Sequence, residues 1–182
     1  MEYQGLMAEI SREAKGRWRA MSAADLPPVL AIAEKVHPAF PEDAEVFAER
    51  LRLYAAGCLV FHAGETIGGY VISHPWRAMD PPALNSRLGI LPGDPETYYI
   101  HDIALLPELR GSGAAALALA LVLARAGKEN LATVSLVAVN DSADFWMRHG
   151  FRKITFDGIV DATLARKLRG YSNAAAFMVR QL

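Results

Sequence analysis

A chain of 182 residues, 52% of them hydrophobic, is long enough for one domain with a sizeable core and too apolar to be disordered. A formal charge of −1 excludes a strong electrostatic pull on nucleic acid or acidic membranes. The one cysteine, Cys58, excludes an intrachain disulfide, and the longest uncharged apolar run, Gly113 to Ala124, is too short to span a bilayer, so a cytoplasmic protein without nucleic-acid or membrane partners is expected.

Met1 to Lys15 is polar, of mixed charge and without an apolar run before a cleavage site; it reads as a tail, not a signal peptide. Gly16 to Met21 opens the first strand. Ser22 is a good N-cap with Asp25 three positions on, and Pro27 and Pro28 suit a first turn. Val29, Leu30, Ile32, Ala33 and Val36 then form one helical stripe. His37–Pro41 is a loop, and Asp43–Ala56 a second helix that Gly57 stops.

Cys58–His62 and Thr66–Ser73 read as a hairpin around Ala63-Gly64-Glu65. His74–Glu96 carries five prolines and reads as a semi-rigid loop of functional length. Tyr98–Leu106 is a buried strand, Pro107–Gly113 a turn, and Ala114–Ala126 a helix of the strongest helix formers. Ala132–Val139 is a central strand, Ala143–His149 a short helix capped by Asn140 and Ser142, and Phe151–Phe156 a strand. Val160–Leu168 is helical, and Ala174–Leu182 closes the chain as a strand. The prediction is one α+β domain over 16–182 with a mixed sheet.

The stretch Tyr98–Ala126 organises the rest. A strand, a glycine turn and a helix N-terminus make an anion site, because the first helical amides lack partners and the helix dipole adds positive charge. Gly111 and Gly113 remove side chains that would hold a phosphate off those amides. A nucleoside-triphosphate loop is rejected: Gly113 is followed by three alanines where Lys and Ser or Thr are needed. A dinucleotide fingerprint matches at Gly111, Gly113 and Ala116. However, Pro107–Arg110 separate its first glycine from the strand, and the next strand ends at Asn140 instead of an acidic residue.

Arg110, Gly113 and Ala115 match the Q/R-x-x-G-x-G/A pyrophosphate motif of the GNAT N-acetyltransferase superfamily, which this sequence resembles. A second block agrees: Val139-Asn140, Ala143 and Phe145-Trp146-Met147-Arg148-His149-Gly150-Phe151 look like that family's N…A…[FL]-Y-x-x-x-G-F segment. The resemblance covers roughly Trp18 to the C-terminus. It implies a GNAT-like fold, a mixed, mostly antiparallel sheet with a splayed parallel strand pair and flanking helices. The implied reaction is direct transfer of an acetyl group from acetyl-CoA to an amine of a small molecule or peptide. A homodimer is compatible with it.

On this resemblance the pantetheine arm would meet the backbone of Ile103, Ala104 and Leu105, with the Leu105 amide as oxyanion donor. The pyrophosphate would meet Gly111, Ser112, Gly113, Ala114, Ala115 and Ala116, with added charge from Arg110. Asn140 and Trp146 would touch the cofactor arm. Strand alternation puts Tyr99, His101, Ile103 and Leu105 on one face and Asp102 on the other, where it would brace structure.

Positions matching Tyr99 or His101 carry a catalytic glutamate in parts of the family. His101 is therefore read either as the base, with an unperturbed pKa near 6.5, or as a histidine that orders the floor of the site. Trp146 departs from the tyrosine that usually protonates the leaving thiolate. Tyr171, Tyr98, Ser142 and His149 are alternatives, and a non-catalytic acyl-CoA-binding module is a second reading of the chain. His37, Phe40, Glu42, His74 and Trp76 are expected around the acceptor. No metal is expected, since His37 and His62 lack ligand spacing with each other or with Cys58.

Overall fold

The computed structural model describes residues 16–154, 162–172 and 174–182. Its strands are β1 (Arg17–Ala20), β2 (Cys58–Ala63), β3 (Thr66–Trp76), β4 (Thr97–Leu105), β5 (Thr133–Ala138), β6 (Arg152–Lys153) and β7 (Ala176–Gln181). Its α-helices are α1 (Leu26–Val36), α2 (Ala44–Leu53), α3 (Ala114–Lys128), α4 (Ala143–Arg148) and α5 (Ala162–Tyr171). The expected tail Met1–Lys15, the end of the strand expected to reach Phe156, and the first residues of the helix expected from Val160 lie outside the described residues.

The strands form one mixed sheet in the order β1-β2-β3-β4-β5-β7-β6. All neighbours are antiparallel except β4 and β5. One face buries the apolar side of α3: Ala118, Leu119, Val122 and Ala126 pack with Tyr98, Ile100, Val134 and Leu136. The opposite face packs Val29 and Ile32 of α1 and Phe47 of α2 against Cys58, Val60, Tyr70 and Ile72. Each such aliphatic burial stabilises by roughly 1.5–3 kcal/mol. The Cys58 thiol is wholly enclosed, and burial pushes its pKa up to about 12.

β3 is longer than expected and continues through His74, Pro75 and Trp76. Proline in a strand loses a ladder donor, but β2 pairs no further along β3 than Ile72. At Pro75 the strand has β4 alone as its partner, through Tyr98, so no β2 carbonyl there goes without a donor. The connecting loop is therefore 77–96, and it is clamped to α2. Glu49 accepts the amides of Leu88 at 2.7 Å and Gly89 at 3.1 Å. Arg50 donates to Glu49 at 2.7 Å and to the Ser86 carbonyl at 2.7 Å.

Arg50 is 1% exposed, so removing it leaves a buried carboxylate short of a partner and frees the loop. Arg50→Ala is expected to lower unfolding free energy by about 3–5 kcal/mol, read as a fall in the urea midpoint. A change within 0.5 kcal/mol would mean that the clamp does not hold the loop.

Candidate active site

β4 and β5 pair only at Tyr98–Val134, Tyr99–Ser135 and Ile100–Leu136. Beyond Ile100 the two strands part, leaving a notch that opens into a cavity of about 1190 Å³. That exceeds the roughly 300–1,000 Å³ of an ordinary small-molecule site and leaves room for two reactants.

The Leu106 amide bonds the Gly68 carbonyl at 2.8 Å, which fixes the β3–β4 ladder. By antiparallel alternation, Ala104 and Asp102 then direct their backbone groups to β3, while those of Ile103 and Leu105 face the notch. The three expected backbone contacts are thus narrowed to two, because Ala104 is engaged with Tyr70.

The turn after β4 is a short 3-10 segment, Pro107–Leu109, followed by Gly111 (φ +77°) and Gly113 (φ +82°). Both occupy the left-handed region that favours glycine. Gly113 is the N-cap of α3, and its carbonyl takes the first helical bond from Leu117 at 3.0 Å. The amides of Ala115 and Ala116 precede that bond and have no intrahelical partner, while Ala114 N–H lies 3.3 Å from Ser112 Oγ. Arg110, Gly111, Gly113, Ala115 and Ala116 line the cavity, as do Ile103, Leu105, Asn140 and Trp146. Ser112, Ala104 and the buried Ala114 do not.

At the other end of β4 the register changes. Ile72 pairs with Asp102 and Ser73 with Ile100, so His101 is an extra residue that bulges β4. The expected alternation fails here. Tyr98 and Ile100 share the α3 face with Ile103, and Asp102 turns the same way as His101. Asp102, expected to face away, is therefore part of the cavity wall. The sequence carried no sign of the bulge, since neither glycine nor proline marks it.

Two imidazole–carboxylate pairs result. His101 Nε2 lies 2.8 Å from Glu42 Oε2, and its Nδ1 is buried without a protein partner. Glu42 also accepts the Asn85 amide at 2.9 Å. His37 Nε2 stands 3.1 Å from Asp102 Oδ1, an ion-pair distance without hydrogen-bond alignment. The Tyr70 hydroxyl donates to Asp102 Oδ2, and His37 Nδ1 meets the Asn140 amide group at 2.9 Å. Asn140 (φ +52°) and Asp141 (φ +55°) both adopt the left-handed conformation at the end of β5, which Asn and Asp tolerate best among side-chain-bearing residues.

Burial pulls both carboxyls upward, but His101 holds Glu42, and His37 with Tyr70 holds Asp102, below the ordinary carboxylate range. Burial pulls His37 down, yet the charge and contact of Asp102, with Glu42 behind, raise it above the ordinary histidine value.

His37, Phe40 and Glu42 line the cavity as expected around an acceptor, and Leu84 and Tyr171 join them. His74 does not. It is buried between Trp76 and Tyr99, bonds the Pro75 carbonyl at 3.0 Å, and is pushed by burial down to about 3, so it is a neutral core histidine. Trp76 is likewise in the core. Tyr99 is buried too and bonds Tyr171 without lining the cavity.

Of the four expected proton donors, Ser142 and Tyr171 reach the cavity. Tyr98 is buried 3.1 Å from the Ser73 hydroxyl, and His149 is not in the lining. Trp146 donates its indole N–H to Ser142 Oγ at 3.2 Å. Among the described residues no cluster of three metal-ligating side chains occurs.

The model of the acetyltransferase (GNAT) family matches residues 23–151. No curated protein matches the chain in sequence. Several solved structures share the fold. Ard1 from Thermoplasma volcanium superposes with a TM-score of 0.67 at 14% identity, over 92% of this chain and 98% of that one. GphF, a GNAT-like decarboxylase solved in complex with isobutyryl-CoA, gives 0.73 at 17% identity, over 91% and 98%. Rv2747 from Mycobacterium tuberculosis, solved in complex with CoA and NLQ, gives 0.64 at 14% identity, over 91% and 99%.

The His37–Asp102 pair makes stability depend on pH in a defined window. Asp102, with a lowered pKa, stabilises above the unfolded value near 3.9 and loses that stability as pH falls through its folded value. His37, with a raised pKa, stabilises below about 6.5 and loses that stability as pH rises through its folded value. The gap in urea midpoint between wild type and Asp102→Asn should be widest between about pH 4 and 6.5 and narrow on both sides. A gap that is flat from pH 4 to 9 would show that the pair is not coupled.

Proposed function

The chain belongs to the acetyltransferase (GNAT) family, and on that footing we propose that it transfers an acetyl group from acetyl-CoA to a primary amine of a small molecule or peptide. The amine attacks directly in a ternary complex. One observation carries this reading: a single cavity joins a glycine turn at a helix N-terminus, a free stretch of strand edge and two imidazole–carboxylate pairs.

Acyl-CoA enters as a substrate that supplies an activated thioester carbonyl. One N–C bond forms and one C–S bond breaks. The acceptor ammonium gives up one proton before attack and a second as the thiolate leaves; one goes to solvent and one to the thiolate. The residues divide this work. The free backbone groups of Ile103 and Leu105 receive the pantetheine arm, with the Leu105 amide aimed at the carbonyl oxygen. The amides of Gly113, Ala115 and Ala116 and the Arg110 guanidinium receive the pyrophosphate.

His101 takes the first proton. Glu42 beside Nε2 orients the ring, and Nδ1 has no competing protein partner. At the sulfur no tyrosine stands ready, so the thiolate leaves as an anion, which its ordinary pKa of about 8.5 tolerates, and takes its proton from solvent. Ser142, whose oxygen accepts the Trp146 indole N–H, lines the cavity and can offer the sulfur a hydrogen bond. The dinucleotide alternative is disfavoured by a sheet whose neighbours are antiparallel at every pair but one. Trp146 is the observation that favours a non-catalytic acyl-CoA-binding module.

Calorimetry with CoA and acetyl-CoA tests the donor, and acceptor-dependent release of free thiol separates enzyme from binding module. No CoA binding would end the proposal. Ala116→Asp sets a carboxylate on the exposed first turn of α3, where acids stabilise a helix but repel a pyrophosphate, so CoA affinity should fall at least tenfold with no loss of stability. His101→Gln should lower kcat by about 10²-fold or more and leave CoA affinity unchanged. An unaltered kcat would remove His101 as the base.

A further inference from the structure

The acceptor end of the cavity, bounded by the 37–44 connection, Leu84 and Tyr171, has a one-sided chemistry. Its walls include Phe40, Pro41, Ala44 and Leu84, which offer no polar side-chain atom. Its acids are Glu42 and Asp102, each facing one imidazole and both held below the ordinary carboxylate range. Arg110 is the sole lysine or arginine among the described residues that line the cavity. It belongs to the glycine turn, and the strand from His101 to Leu105 alone sets the two apart by about 13 Å. Arg50 feels the charge of Glu42 through the wall, but it donates to Glu49 and Ser86 and does not line the cavity. The Tyr171 hydroxyl donates to the Pro82 carbonyl at 2.9 Å, so the ring edge is held in place as part of the wall.

We propose that the acceptor is a cationic amine on an apolar or aromatic body that carries no carboxylate of its own. This rests on the acyltransferase reading above and narrows its acceptor. The ammonium is drawn to the carboxylates of Glu42 and Asp102. The apolar body covers Phe40 and Leu84. A carboxylate on the acceptor would lose its water beside two carboxylates and find no guanidinium or ammonium to replace it. Selectivity therefore comes from repulsion as much as from attraction.

Matched pairs of acceptors test this with the full chain and acetyl-CoA. 2-Phenylethylamine is compared with phenylalanine and phenylalaninamide, and pentylamine with norleucine. Thiol release gives kcat/KM, and calorimetry in the presence of CoA gives acceptor affinity independently of turnover. The plain amines should exceed the amino acids at least about tenfold in both measures, and phenylalaninamide should recover most of the loss, since it keeps the bulk and removes the charge. Leu84→Arg, which adds the missing cation to the wall, should raise phenylalanine relative to 2-phenylethylamine.

Equal or better use of phenylalanine by the wild type overturns the inference while leaving the acyltransferase reading intact. So does CoA binding with no plain amine either bound or acetylated. Absence of CoA binding removes the reading on which the inference rests.

Discussion

Everything functional in this fold depends on β4 and β5 ceasing to pair after Ile100. Parallel strands that stay in register satisfy their own backbone groups and leave nothing for a ligand. Here the ladder stops while both strands still run, so Ile103 and Leu105 keep free polar groups at an edge buried within the sheet. Unpaired buried backbone groups are costly, and a ligand that bonds like a strand removes the cost. The separation is held from several sides: Trp146 packs into the α3-side core, and His37 reaches from beside β4 to Asn140 past the end of β5.

The bulge at His101 does the second essential thing. A regular β4 would send His101 and Asp102 to opposite faces, and one imidazole–carboxylate pair would be lost from the cavity. With one extra residue, both side chains meet the 37–42 connection, where His37 and Glu42 wait in complementary order. Each acid finds an imidazole and each imidazole an acid. This crossed pairing lets four titratable groups share a largely apolar enclosure without an isolated charge. Tyr70 extends the network into the core, so the site is braced from β3 as well.

The sheet, the helix after the glycine turn and the central β5 were legible because they rest on local signals: Ala and Leu in α3, paired glycines before it, and Val and Leu on both faces of β5. The glycine turn that lines one end of the cavity was legible for the same reason. At the opposite end His37, Phe40 and Glu42 were legible in the connection between two helices, and the rest of the wall was not. His74 looks like a site residue beside prolines, but the strand runs on through Pro75 and buries it. Asp102 reads as structural under regular alternation, which breaks at a bulge that composition does not announce. Leu84 and Tyr171 reach the cavity through tertiary docking of a long loop and a late helix, which no spacing in the sequence encodes.

The clamp on that loop separates anchoring from selection. Glu49 and Arg50 grip 86–89, and Asn85 is tied to Glu42 and Asp43. Of the whole 77–96 segment, Leu84 alone lines the cavity among the described residues. A change at that position alters what the wall presents and leaves every clamping bond in place. The cavity wall can thus be altered by single substitutions without passing through a destabilised intermediate, an evolvability that a mobile lid with mixed duties would not have.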